Sequence, residues 1–356
     1  MNLQTPYTKM TTVTLGKTGL IVPKNGFGAL PIQRISTAEA SRLINKALDN
    51  GMYFFDTARF YTDSESKLGS ALEGKRDKVI IASKTGATTA EAFWKDLDTS
   101  LGLLKTTYLD LYQFHNPAFC PLPNDGTGLY EAMLEARQQG KIRHIGITNH
   151  RLAVAQQAID SGLYETLQFP FSYLASDKEL NLVNQCESNN MGFIAMKALS
   201  GGLISHAATA YAFMAQYKHV VPIWGIQHES ELDEFIAFQD NPPVLNDEML
   251  QRIENDRKQL TGDFCRGCGY CQPCTAGIEI ESCNRMYLFL RRAPYSVYLT
   301  EEFNKKMHMI EDCVHCDVCK SRCPYGLDIP ALLQRNLEDW NAHWAEKEKY
   351  LATQQG

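Results

Sequence analysis

Eight short apolar runs, rich in β-branched and aromatic residues and each followed by a helical pattern, constrain this chain more than any other feature. They are NGFGAL, MYFFDTA, KVIIASKT, YLDLYQFH, HIGIT, TLQFPFSYL, GFIAMKAL and VVPIWGI. The stretches between them are amphipathic. STAEASRLINKALDNG, for example, opens on Ser36 or Thr37 as N-cap, carries Glu39 in its first turn and closes on Gly51. Strand alternating with helix implies right-handed βαβ units and a parallel sheet. Eight units over roughly 240 residues match a closed (β/α)8 barrel of about 250 residues, whereas a doubly wound sheet normally stops at about five or six strands. The expected fold is therefore an α/β (β/α)8 TIM barrel.

After VVPIWGI and a helix around ESELDEFIAF, the segment QDNPPVLNDE has the Pro, Asn and Asp content of a boundary. We place the barrel at residues 1–240. Residues 241–356 then hold a bridging helix, DEMLQRIENDRKQL, a cysteine-rich region, and a polar helical tail from about Pro330 to Tyr350. The net charge of -6 and the lack of any basic run argue against a nucleic-acid partner. No stretch approaches the eighteen or so apolar residues that span a bilayer, and the start, MNLQTPYTKMTTVTL, lacks an apolar h-region; a cytoplasmic protein is expected. Eight of the eleven cysteines sit in two short clips, which in a reducing compartment points to metal ligands rather than disulfides.

Chemistry on such a barrel sits at the carboxyl ends of the strands. Asp56 ends strand 2, Lys84 strand 3 and His115 strand 4, so adjacent strands bring all three to one rim, and Tyr61 follows in the loop ARFYTDSE. A free tyrosine, with a pKa of about 10, is a poor acid, but a nearby ammonium stabilises the phenolate. Lys84 would supply that charge, Asp56 would hold Lys84 protonated, and His115 would hydrogen-bond a substrate oxygen. Taken singly, each of these residues is more often a loop cap or a solvated side chain.

The order Asp56-x4-Tyr61, then Lys84 after an apolar strand, then His115 after LDLYQF, resembles the catalytic tetrad of the aldo-keto reductase family, over about residues 12 to 238. The resemblance implies a nicotinamide cofactor bound without a Rossmann fold, hydride transfer between nicotinamide C4 and the carbonyl carbon of a small-molecule substrate, and Tyr61 as general acid. It also implies that Thr148, Asn149 and Gln168 hold the carboxamide, with Gly28, Met196, Lys197, Leu199 and Gly225 around the cofactor. Three departures stand out. Met196 and Lys197 occupy the segment where the family often stacks an aromatic on the nicotinamide. After strand 8, WGIQHESELDE offers Trp224, Gly225, Gln227, Glu229, Glu231 and Asp233, where NADPH-preferring members place cations around the 2′-phosphate. Carboxylates repel a phosphate, so NADH is expected over NADPH unless Lys197 replaces the missing charge. Arg59, between Asp56 and Tyr61, either favours anionic substrates or is a solvated loop residue.

The second clip, Cys313, Cys316, Cys319 and Cys323 in CVHCDVCKSRCPYG, has the spacing C-x2-C-x2-C-x3-C-P of bacterial ferredoxins, in which three thiolates hold one 4Fe-4S cluster and the fourth serves the other cluster of a pair. Zinc needs two cysteine pairs separated by a longer loop. The first clip, Cys265, Cys268, Cys271 and Cys274, keeps the triple but brings its fourth cysteine one residue early, before Thr275. Two clusters with crossed fourth ligands are favoured; one complete cluster beside a partly structural clip is the alternative. Of the remaining cysteines, Cys120, Cys186 and Cys283, only Cys283 offers a substitute ligand. The segment between the clips, including RMYLFLRRAPYSVYLTEEF, resembles a helical dicluster domain, and the whole chain resembles the aldo-keto reductases that carry a C-terminal ferredoxin-like domain.

Clusters pass single electrons whereas nicotinamide takes a two-electron hydride, and no G-x-G-x-x-G motif signals a flavin site of the Rossmann type to join them. Three functions stay open: a carbonyl reductase whose clusters stabilise or regulate it, an electron-transfer enzyme feeding a substrate or flavin in the barrel mouth, and a docking protein for a ferredoxin or flavodoxin redox partner.

Overall fold

The structure, a computed structural model, describes residues 12–260, 264–292 and 295–352. Contacts divide the chain into one unit of Met1–Ala198 with His206–Leu250 and a second of Leu199–Ser205 with Gln251–Gly356.

The first unit is a closed parallel barrel preceded by an antiparallel hairpin, β1 (Thr12–Thr14) and β2 (Ile21–Pro23). The sequence reading did not include that hairpin, whose three-residue strands are too short to show a period. The barrel strands are β3 (Gly26–Gly28), β4 (Phe54–Asp56), β5 (Ile80–Thr85), β6 (Leu109–His115), β7 (Ile142–Thr148), β8 (Thr166–Pro170), β9 (Gly192–Met196) and β10 (Val220–Gly225), and β10 pairs with β3 to close the ring. Each coincides with one of the eight apolar runs. Every residue of β4, β5 and β8 is buried, as in a parallel sheet covered on both faces.

The barrel helices are α1 (Thr37–Asp49), α2 (Ser64–Ala71), α3 (Ala90–Leu103), α4 (Leu129–Gln138), α5 (Leu152–Ser161), α6 (Asp177–Ser188), α7 (Ala207–Ala215) and α8 (Glu229–Asp240). Of the two caps the sequence allowed for α1, the structure has Ser36, in a capping box with Glu39, and Ser176 with Glu179 forms the same arrangement at α6. Gly69 is required by close packing, since a Cβ there would stand 2.1 Å from the Leu103 carbonyl oxygen.

The bridging stretch forms α9 (Asp247–Gln259). The helices that follow are α10 (Ile280–Cys283), α11 (Met286–Arg292), α12 (Tyr295–Tyr298), α13 (Glu301–His308), α14 (Val318–Arg322), α15 (Ile329–Ala345) and α16 (Lys347–Ala352). The expected polar tail needs correcting. Helix α15 buries Leu332, Leu333, Leu337 and Trp340 on one face and forms the centre of the second unit's core with Ile280, Met286, Leu290, Met307 and Ile310. Its first turn is set by the Asp328 side chain, which accepts from the Ala331 N–H, and by Pro330. Trp340 is fully buried and its indole N–H donates to Asn304 Oδ1 at 3.0 Å, so the polar handle of the largest core residue is satisfied.

Candidate active site and cysteine centre

Barrel register places the predicted residues side by side. Gly28 pairs with Asp56, Lys84 with Gln113, His115 with Thr148, and Thr148 with Gln168. Lys84 and Asp56 are both buried, and Lys84 Nζ donates to Asp56 Oδ1 at 2.6 Å and to the Thr57 carbonyl at 2.7 Å. The half-buried Tyr61 ring lies beside this pair, with Lys84 Nζ 5.1 Å from its centroid. The His115 ring meets Tyr61 edge-on at 5.7 Å. The four residues are therefore neighbours at the carboxyl rim.

The expected electrostatics are not borne out in one respect. Burial, and behind it the Asp56 carboxylate, raise the Tyr61 phenol above its ordinary pKa rather than lowering it. The ammonium is committed to Asp56 at contact distance, and a partly desolvated phenolate is penalised more than that neutralised cation can offset. Tyr61 thus holds its proton. Burial likewise lowers Lys84, opposed by Asp56, and raises Asp56, opposed by Lys84. His115 is pushed down to about 3 by burial and by the Lys84 charge, so its imidazole is neutral at ordinary pH and keeps one N–H to donate.

Gln113 was missed by the sequence reading. It stands two residues before His115 on β6, and therefore on the same side of the strand, a signal that LYQFH did contain. Its Nε2 donates to Gln168 Oε1 at 2.9 Å and reaches Asp56 Oδ2 at 3.5 Å, while Gln168 Nε2 reaches Asp56 Oδ1 at 3.4 Å. Gly146 makes room for this network, since a Cβ there would stand 2.2 Å from Thr166 Oγ1 and 3.0 Å from Gln113 Cγ. Arg59 is not a solvated loop residue. It is paired with the buried carboxylate of Glu65, which also accepts from Ser83 Oγ at 2.6 Å.

Of the residues expected around a nicotinamide, Thr148 is the most available: its hydroxyl has a sulfur acceptor, Met196 Sδ, at 3.9 Å. Asn149 is already engaged, donating to the Pro117 carbonyl and accepting from the His150 and Arg151 N–H groups. Gln168 is bonded within the network just described. Gly28 and Gly225 pair on the rim, and a Cβ at Gly28 would press on the Trp224 carbonyl at 3.0 Å. Lys197 follows β9 with a positive φ of 57°, and Leu199 falls in the short segment grouped with the second unit. Trp224 does not face the rim; it is buried between Tyr211 and Phe235. The carboxylates after β10 are also engaged. Lys46 binds Glu229 and Asp233, both at 2.6 Å, and Glu231 caps α8 by accepting from the Gln227 and His228 N–H groups. The repulsion expected against a phosphate is correspondingly weaker.

In the second unit, one cavity is lined by Cys313, Cys316 and Cys319 of the second clip together with Cys271 and Cys274 of the first. The Thr275 hydroxyl beside Cys274 lies 3.8 Å from Cys316 Sγ. Reciprocally, Arg322, next to Cys323, donates to the Gln272 and Pro273 carbonyls of the first clip. Cys271 feels Cys265 and Cys268, so the first triple also converges, and its thiol is raised mainly by burial. Among the described residues no group of His, Cys, Asp or Glu converges tightly enough to hold a single metal ion, a closer approach than a cubane cluster asks of its thiolates. Cys283 is packed in the helical core and its S–H donates to the Lys306 carbonyl at 3.5 Å; Cys120 and Cys186 are buried in the barrel.

Comparison with known proteins follows the same division. A model described as the aldo/keto reductase family matches residues 24–216, and one described as a 4Fe-4S dicluster domain matches residues 264–328. The chain is 31% identical over 217 residues to the L-galactose dehydrogenase of Arabidopsis thaliana, covering 56% of this chain and 68% of that protein. It is 31% identical over 181 residues to an aldo-keto reductase of Bacillus subtilis, covering 47% of this chain and 54% of that one, so it spans little more than half of the second relative. An aldo-keto reductase of Klebsiella pneumoniae in complex with NADPH has the same fold, with a TM-score of 0.58 at 24% identity over 69% of this chain and 94% of that one. One from Bacillus halodurans in a holo form reaches a TM-score of 0.62 at 20% identity, covering 69% and 96%.

Proposed function

This chain belongs to the aldo/keto reductase family, and from that premise we propose that it reduces a small carbonyl compound at the barrel mouth, with Tyr61 as general acid, and that its C-terminal cysteines hold two 4Fe-4S clusters. The observation that carries the first part is the buried Asp56–Lys84 pair beside the Tyr61 ring and a neutral His115.

The proposed roles follow from that geometry. Tyr61 keeps its proton until negative charge grows on a substrate oxygen, and then delivers it; the Lys84 ammonium, 5.1 Å from the ring centroid, favours the phenolate that results. Asp56 fixes Lys84, and Gln113 with Gln168 supports Asp56. Neutral His115 donates a hydrogen bond that orients the carbonyl. A nicotinamide cofactor, when bound, supplies the hydride. Thr148, whose hydroxyl has only a sulfur acceptor, is the first candidate to hold its carboxamide, with Asn149 and Gln168 requiring exchange of their internal bonds, and the family resemblance adds Gly28, Met196, Lys197, Leu199 and Gly225 as candidates. With Lys46 offsetting one of the two charges of Glu229 and Asp233, the case for NADH over NADPH rests on the scarcity of cations and on the carboxylate charge that is left, and relative KM values for the two forms decide it.

Replacing Tyr61 by Phe tests the general acid. Carbonyl reduction under anaerobic conditions should fall about 10²- to 10⁴-fold in kcat while cofactor binding persists. An unchanged kcat would remove Tyr61 from the chemistry.

For the clusters, Cys313, Cys316, Cys319 and Cys274 are proposed as one ligand set and Cys265, Cys268, Cys271 and Cys323 as the other. Support comes from the Thr275 hydroxyl beside Cys274, 3.8 Å from Cys316 Sγ, and from the Arg322 bonds to the first clip. Such clusters, when bound, exchange electrons one at a time. Iron and sulfide counts with EPR on anaerobically prepared protein measure their number.

A further inference from the structure

At the other end of the barrel from the mouth, where β3 and β10 begin, a cavity of about 360 Å³ lies against α7 and α8. Lys24, Asn25, Lys218 and Trp224 line it together with apolar Tyr211 and Met214. From this combination we propose that the cavity is a second binding site, for a small organic carboxylate with an apolar body.

The volume falls in the range of small-molecule pockets, and the lining mixes apolar walls with a few polar groups in the usual way. Lys24 is held in place by donating to the Tyr217 carbonyl at 2.6 Å and the Ala215 carbonyl at 3.3 Å, at the carboxyl end of α7. Among the described residues neither it nor Lys218 has a carboxylate partner, and an ammonium has three donors. Two lysines therefore share one recess with no counter-ion from the described chain. Burial and the Lys218 charge push Lys24 down to about 8, which a bound anion would reverse. Two wall residues also carry a buried polar atom without a partner: Asn25 Oδ1, an acceptor, and Trp224 Nε1, a donor. An indole N–H and two ammoniums suit a carboxylate. The Tyr211 ring and the Met214 side chain suit its hydrocarbon part.

The probe is benzoate, titrated into the full-length protein prepared anaerobically, with binding followed by tryptophan fluorescence and by calorimetry in two buffers of different ionisation enthalpy near pH 8. Saturable binding with net proton uptake is expected. Lys218 is exposed, so Lys218→Glu should fold normally and weaken binding about tenfold or more. Lys24→Met should abolish binding and Lys24→Arg should retain it. Inorganic phosphate at the same concentration should not displace benzoate. The proposal is overturned if benzoate fails to saturate, if Lys218→Glu binds like the unaltered chain, which would put benzoate elsewhere, or if phosphate displaces it equally well, which would leave only a nonselective anion patch.

Discussion

Replacing Lys84 by Met gives the sharpest test of how the mouth is held together. Lys84 Nζ now donates to Asp56 Oδ1 at 2.6 Å, and both side chains are buried. After the change, the carboxylate would be left with Gln168 Nε2 at 3.4 Å and Gln113 Nε2 at 3.5 Å, both at the outer limit of hydrogen bonding. Removing one partner of a buried pair typically costs about 3–5 kcal/mol, far more than the roughly 0.2–1 kcal/mol of an exposed pair such as Lys46 with Glu229. Asp56 can escape part of that cost by taking up a proton. Burial already raises its pKa and Lys84 is the largest opposing influence, so without Lys84 the value in the folded state rises further above the unfolded one. A group raised on folding contributes stability that is present below the unfolded pKa and lost as pH rises through the folded pKa. Lys84→Met should therefore be destabilised by about 3–5 kcal/mol at pH 8 and by clearly less near pH 5. The double variant Asp56→Asn with Lys84→Met should recover most of the loss at both. Urea unfolding followed by circular dichroism at the two pH values measures this. A deficit equal at both, and undiminished in the double variant, would refute the account of the pair as a buried charge balance.

Two further outcomes follow from the same chemistry. Because His115 is depressed to about 3, the unfolded chain binds a proton there that the native state does not, between about pH 6.5 and 3. Stability should fall as pH drops through that window, His115→Gln should flatten the decline in acid unfolding curves, and the pH–rate profile should show no inflection from His115 near 6.5. In the cysteine unit, Cys274→Ser and Cys323→Ser should each lower the iron count by about four per chain and leave the other cluster's EPR signal in place. Cys283→Ser should leave the count unchanged, and iron loss there would put Cys283 among the ligands.

The barrel was legible because eight apolar runs and the helices between them repeat one physical unit, and strand ends are where period and chemistry coincide. Asp56, Lys84 and His115 could be placed from strand order alone, since adjacent strands share a rim. What escaped was two-dimensional information. Gln113 matters through its cross-strand partners Gln168 and Asp56, which no single segment displays. Trp224 looked like a mouth residue from its place near the end of β10, yet its ring packs against Tyr211 and Phe235. The charges of Glu229 and Asp233 read as repulsive because their partner, Lys46, lies on α1 at a distance in sequence of more than 180 residues. In α15 the interspersed polar residues masked an apolar face, Ile329, Leu332, Leu333, Leu337 and Trp340, that proves to be core.

The charge balance of the mouth bears on what it selects. Arg59 read from sequence either as a lure for anions or as a solvated loop residue, but it is paired with Glu65, as Lys84 is with Asp56, and His115 is neutral. Two cations and two carboxylates gathered around β4 and β5 therefore cancel. A fixed field attracts a charged substrate only when one sign is in excess within a Debye length or so. This group of residues offers no such excess, and the apolar ring of Phe60, 64% exposed, lies with its centroid 5.8 Å from that of His115. Neutral aldehydes should accordingly be reduced with kcat/KM at least as high as that of analogues of equal size bearing a carboxylate, and raising the salt concentration should change neither appreciably. A kcat/KM that favours the anionic analogue by more than about tenfold, and that collapses with salt, would show an unbalanced cation at the rim and return Arg59 to the role its sequence position suggested.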